Sequence, residues 1–244
     1  LTNSGGSSVN LSAQTEGFTI TGDAGIDTIT GSAGVNIISA GGGKDIITGG
    51  ASADIITGGS GDDQITGGAG ADTLKVDAGI DTITDLSAAD ILIISTGATA
   101  NATVSANYVA TAATTNDGTA NLTAGAGGLT VDVSLASGST GFNMIGGSGA
   151  DTLKGAGKAD TFTIASSGQG NLDVFDGGAG TDTLKLSAGS HVFSSDANFA
   201  NIETVLTNSG GSSVNLSAQT EGFTITGDAG IDTITGSAGV NIIS

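Results

Sequence analysis

Asp45, Asp54, Asp63 and Asp72 stand nine residues apart in the stretch GGGKDIITGGASADIITGGSGDDQITGGAGADTL, residues 41–74. The interval extends both ways: seven gapless nonads run from Gly22 to Thr84, and a degenerate eighth, DLSAADILI, reaches Ile93. Their sixth place reads Asp27, Asn36, Asp45, Asp54, Asp63, Asp72, Asp81 and Asp90. A second block from Gly146 to Lys185, interrupted by IASS, puts Asp151, Asp160, Asp173 and Asp182 there, and Asp232 repeats it near the end. Twelve of 21 aspartates hold this one place, so the acidity is positional rather than a solvating excess. Carboxylates stacked about 4.8 Å apart repel by roughly 3 kcal/mol at an effective dielectric near 20, which calls for a cation between them. Carboxylate and turn-carbonyl oxygens, with no cysteine and one histidine in the chain, suit Ca²⁺. Mg²⁺ fits less well because it keeps its water and a strict octahedron.

The elements that would position these acids follow from the other places of the nonad. The eighth place reads Ile29, Ile38, Ile47, Ile56, Ile65, Leu74, Ile83 and Leu92, then Leu153, Phe162, Phe175 and Leu184. Places one to six are rich in glycine, which tolerates the positive φ of a tight turn. Places seven to nine, such as TIT or IIT, make a short strand whose eighth side chain points opposite to its neighbours. Turn plus strand reverses the chain, so two nonads make one coil. Acids two nonads apart then fall into register, Asp27, Asp45, Asp63 and Asp81 on one edge and Asn36, Asp54, Asp72 and Asp90 on the other. Regular aliphatics argue against solvated low complexity.

These nonads resemble the G-G-x-G-x-D-x-U-x motif of the RTX (repeats-in-toxin) calcium-binding family over residues 22–93 and 146–185, with partial coverage at 4–21 and 222–244. The resemblance implies an all-β fold, an elongated right-handed parallel β-roll or β-solenoid. It implies several Ca²⁺ ions per repeat, held by the sixth-place side chains and by backbone oxygens of Gly41, Gly43, Gly59, Gly61, Gly68, Gly70, Gly147, Gly149, Gly178 and Gly180. It also implies type I secretion. Asn36 replaces the acid and weakens its site. Val9 and Phe18, read at the sixth place, remove it and predict calcium-free apolar coils.

A larger repeat encloses the small one. Residues 1–39 recur unchanged at 206–244, so the chain is one 205-residue repeat plus the start of the next. The organisation expected is calcium-free coils at 1–21, a first nonad block at 22–93 and an irregular or β-insert segment at 94–121. Calcium-free coils follow at 122–145 as a diverged copy of 1–21, then a second block at 146–185 and a connecting coil at 186–205. Asp62, Asp77, Asp85 and Asp176 read as exposed turn residues, and His191 as a structural sixth-place residue.

Composition bounds the function. With 24 acidic and five basic residues the net charge is −19, which disfavours nucleic acid and anionic lipid. No run of 18 apolar residues could span a membrane. There is no HExxH or GxSxG, and GGGKD and GAGKAD lack the spacing of a phosphate loop, so an enzyme is not expected. The leading expectation is a calcium-stiffened structural or adhesive array at a bacterial cell surface: fibre, spacer or surface-layer component. Its partners are calcium ions and neighbouring identical repeats, with lateral self-association suggested by outward Ile37 and Ile55, and Ile46 on the opposite face. The alternative is the calcium-folding accessory region of a secreted enzyme or toxin. A minor one is ice or glycan binding by the ninth-place ladder Thr30, Thr48, Thr66 and Thr84.

Overall fold

The computed structural model describes residues 5–166, 172–208 and 210–244. The first four residues of the opening coil, and residues 167–171 at the IASS insertion and the start of the nonad GQGNLDVFD, lie outside the described residues. The chain folds as two compact bodies, residues 1–122 with 135–140, and residues 123–134 with 141–244.

In the first body short strands stack in two rows. One row holds Ser8–Asn10, Thr28–Thr30, Ile46–Gly50, Gln64–Gly68, Ile80–Leu86 and Thr99–Val104. The other holds Thr19–Thr21, Ile37–Gly42, Ile55–Ser60, Thr73–Val76, Ile91–Ile94, Thr115–Asn116 and Ser137–Gly138. The pairing is parallel and sets eighth place on eighth place, Ile29 with Ile47 and Ile47 with Ile65 in one row, Ile38 with Ile56 and Ile56 with Leu74 in the other. All of these side chains are fully buried. A strand has side-chain period two, so the flanking seventh place turns outward. Ile37 and Ile55 are accordingly exposed and in register one coil apart, and exposed Ile46 lies in the other row.

Residues 94–121 do not leave the coil. Thr99–Val104 pairs with Ile80–Leu86, and Thr115–Asn116 with Ile93 and Ile94. The interior there is filled by Ala98, Ala100, Ala102, Ala110 and Ala120 around buried Tyr108, whose hydroxyl meets Thr114 Oγ1 at 3.1 Å. Low complexity here is a small-residue core.

The second body repeats the plan with a wider coil. Thr152–Lys154 pairs with Val174–Asp176, and Thr161–Ile164 with Thr183–Leu186, each at a step of 22 residues, so IASS lengthens one coil by four without breaking the register. Aromatic side chains fill the extra width: Phe175 stands 5.9 Å from Phe162 and 6.3 Å from Phe199 between ring centroids.

Two register readings need correction. Val9 pairs with Ile29, and the Ser7 amide donates to Asp27 Oδ1, so Val9 holds the inward eighth place and Ser7 the sixth. The slip of two arises in the turn after Val9, where the Gln14 amide closes on the Leu11 carbonyl. His191 likewise pairs with Val214 and is fully buried, an inward place rather than a sixth. Phe18 is at the sixth place as read, its amide donating to Asn36 Oδ1 at 3.2 Å.

Candidate metal sites

Every sixth-place acid of the two blocks is buried, although a lone carboxylate is among the groups least suited to an interior. One oxygen of each is accounted for. In the first body, the amides of Asp27, Asn36, Asp45, Asp54, Asp63 and Asp72 donate to Oδ1 of the sixth-place acid one coil later, at 2.7 to 3.0 Å. In the second, Leu129 and Asp151 donate to Asp151 and Asp173, and Phe142 and Asp160 to Asp160 and Asp182, at 2.6 to 2.9 Å. Ser212 donates to Asp232 at 2.8 Å.

The second oxygen distinguishes two sets among these acids, with Asp90 apart because its Oδ2 accepts the Ser87 amide and hydroxyl. Oδ2 of Asp27, Asp151, Asp160 and Asp232 accepts the second-place amide of its own turn, from Asp23, Gly147, Ala156 and Asp228. Oδ2 of Asp45, Asp54, Asp63, Asp81 and Asp182 is buried with no partner. Four of these five follow a second-place glycine at positive φ: Gly41, Gly50, Gly59 and Gly178. None of the four amide donors has positive φ, so a left-handed glycine accompanies the missing bond in four turns, whereas the turn of Asp81 lacks the bond with Asp77 at the second place. Of the ten glycines singled out in sequence, all but Gly147 have positive φ. At Gly59 and Gly61 a Cβ would also overlap the carbonyl oxygens of Gly41 and Gly43 one coil earlier.

Asn36 shows what the unpartnered oxygens face. Its Nδ2 donates to four oxygens: Gly34 O at 2.7 Å, Asp54 Oδ1 at 3.0 Å, Ser32 O at 3.2 Å and Gly49 O at 3.3 Å. The second copy repeats part of this, Asn241 Nδ2 donating to Ser237 O and Gly239 O. The amide's electropositive nitrogen sits in a cage made by the second- and fourth-place carbonyls of its own turn and by two oxygens from the next coil. Where an aspartate replaces Asn36, the same cage has oxygen on every side. Such a set of carbonyl and carboxylate oxygens matches the preference of Ca²⁺. Among the described residues no three His, Cys, Asp or Glu side chains form a metal-ligating group, as expected when backbone carbonyls supply much of the shell, and the chain has no cysteine.

Titration reflects the same crowding. Burial, opposed in part by the backbone amide and reinforced by neighbouring carboxylates, pushes Asp72, Asp173 and Asp182 up to about 6 and Asp81 up to about 7. Burial also raises Asp45, Asp54, Asp63, Asp90 and Asp160. Asp232, held by the Ser212 amide, is lowered.

Several acids outside the nonad pattern join coils. Glu203 Oε2 accepts the Asp182 amide at 2.7 Å, taking the part a sixth-place aspartate plays elsewhere. Its signal was the triplet Glu203–Thr204–Val205, acid–Thr–aliphatic like Asp182–Thr183–Leu184, displaced from the nine-residue step. Asp85 accepts the amides of Gly67 and Gly68, and Asp62 that of Ile80, so these turn acids are ties between coils. Asp77 and Asp176 likewise accept from Ser95 and Asn201.

Oxygen cages repeated along stacked parallel coils define a cation-binding β-solenoid. A family model described as the RTX calcium-binding nonapeptide repeat (four copies) matches residues 19–47, 48–83, 144–163, 167–190 and 224–244, more than half of the chain, and the chain belongs to that family. It is a calcium-binding tandem-repeat protein. Comparison with curated proteins and with solved structures finds no match. Among the described residues no helix is long and apolar enough to cross a membrane.

Proposed function

We propose that Asp27, Asp45, Asp54, Asp63, Asp72, Asp81, Asp90, Asp151, Asp160, Asp173, Asp182 and Asp232 hold Ca²⁺ together with turn carbonyls. The glycines are those at 41, 43, 59, 61, 68, 70, 147, 149, 178 and 180. Asn36 marks a coil in which an amide does the work of the ion. The observation that carries this reading is the set of buried, unpartnered Oδ2 atoms at Asp45, Asp54, Asp63, Asp81 and Asp182. Bound calcium supplies positive charge at those oxygens, and it binds a cage that exists only when coils are stacked, so binding free energy is folding free energy. At low calcium, buried like charges oppose the fold; at high calcium they support it.

Such a chain suits export in an unfolded state followed by winding in calcium-rich surroundings, in keeping with the extracellular setting of its family. The role that fits identical repeats, with no assembled catalytic constellation among the described residues, is structural or adhesive: a non-enzymatic array on a bacterial surface that calcium stiffens. Far-UV circular dichroism with calcium added back to the stripped protein tests this. A cooperative gain of β signal with calcium, reversed by EGTA and not produced by Mg²⁺ at the same concentration, is the expected result. An unchanged β signal in EGTA at neutral pH rejects it.

A further inference from the structure

Residues 1–39 occur twice in this chain, and the two copies stand in different surroundings. Their local geometry is shared. The Gln14 amide meets Leu11 O at 2.8 Å and the Gln219 amide meets Leu216 O at 2.9 Å. The Ser12 amide meets Asn10 Oδ1 at 3.0 Å and the Ser217 amide meets Asn215 Oδ1 at 2.9 Å. Burial is not shared. Gln14 is exposed, and Val9, Leu11 and Phe18 are only half-buried, whereas Gln219, Val214, Leu216 and Phe223 are each at most 2% exposed. The second copy is described together with the coil that precedes it, and that coil covers these side chains.

That coil is the tail of the repeat, residues 187–205. Ser212–Asn215 lies in parallel register on Gly189–Val192, with the Gly189 amide donating to Gly211 O and the Phe193 amide to Asn215 O. Gln219 Nε2 donates to Phe193 O at 3.0 Å and Ser195 O at 3.2 Å, stitching the opening turn of one repeat to the closing turn of the other. The Thr220 amide and hydroxyl both donate to Asp196. Phe223 packs on Phe199 at 5.3 Å, and Phe199 on Phe193 at 5.0 Å. There is no linker: Leu206, the first residue of the new repeat, already pairs with Lys185 and Thr226.

We infer that residues 187–205 are a docking surface whose partner is the opening coil, residues 1–21, of the following identical repeat, so that the strand ladder runs across the junction between repeats instead of ending at a tether. A solenoid end exposes an apolar interior and an open strand edge, which need a cap. Here the next repeat is that cap. The seam is a parallel ladder sealed by an amide and an aromatic cluster, so the inference goes beyond the ion sites and does not rest on them.

The duplicated sequence supplies its own control. In the full chain with saturating calcium, amide exchange is followed in peptides from residues 187–205, which occur once and are distinguishable by mass. Phe223→Asp should speed exchange there about a hundredfold or more, and Gln219→Ala about tenfold, through local opening of the seam. Phe18→Asp and Gln14→Ala, the same changes in the first copy, should leave those peptides within about twofold of the unmodified chain. Where Phe223→Asp opens more than the seam, the glutamine pair decides. Equal responses at the two copies, or fast exchange of Gly189 and Phe193 in the unmodified chain, overturns the inference.

Discussion

Acid should do part of the work of calcium. Asp72, Asp173 and Asp182 have folded pKa values of about 6 and Asp81 of about 7, against 3.8 for an unperturbed aspartate. The folded chain therefore binds more protons than the unfolded one between pH 3.8 and these values. Metal-free stability is greatest below that window and is lost as pH rises through about 6 to 7. Going from pH 8 to pH 5, each group near 6 contributes about 1.4 kcal/mol and Asp81 about 3 kcal/mol, about 7 kcal/mol together. Discounted for solvent screening in the turns, the sum is about 4 kcal/mol. The protein is stripped over a chelating resin and unfolded with urea at several pH values, followed by circular dichroism. The stripped chain, unwound at pH 8 without calcium, should regain β signal on the way to pH 5, and its resistance to urea should grow with that signal. With saturating calcium the slope should reverse, because the ligands must be deprotonated to bind. Metal-free β signal that stays flat or falls on acidification refutes the electrostatic argument, whatever calcium does.

Asn36→Asp removes a donor to four oxygens and adds a charge, so it should lower metal-free stability by about 1–3 kcal/mol yet add one bound calcium in native mass spectrometry; an unchanged ion count contradicts the cage. Gly61→Ala should cost about 2 kcal/mol or more, from strain at φ +126° and from overlap with Gly43, seen as a lowered calcium-loaded Tm. Ile65→Ala, in the middle of the eighth-place column, should destabilise by about 2–5 kcal/mol in urea unfolding without changing the ion count. Ile37→Asp with Ile55→Asp should leave Tm within a few degrees; lateral association of the parent chain, measured by sedimentation at rising concentration, should fall in the double variant if those exposed side chains make it.

The nonad period made the coil legible because each place has one physical duty. Asp63 and Ile65 differ by two residues, and period two sends one toward the cage and the other into the core. Places where the duty passes to another residue type were harder to read. Val9 was misread by two because extra residues are absorbed in the turn closed by Gln14 and Leu11, which leaves no mark in composition. Counting by nines puts His191 at a structural sixth place, whereas it occupies an inward, buried one. Glu203 fell outside the count because an insertion moves the step from 18 to 21 residues. The alanines of residues 98–120 hid a continuing interior, since small side chains give little hydrophobic contrast. The unpartnered oxygens of Asp45 and Asp63 go with a left-handed backbone at Gly41 and Gly59, and a glycine in sequence states only that such an angle is allowed.

Each sixth-place carboxylate grips the backbone of the winding before it, never the one after. Within each acid-bearing block a winding is thus latched by its successor, and the last winding of the block lacks that latch. Growth by this rule has a direction: an unfinished block carries a single soft tip that advances as more chain arrives, while everything behind it is held.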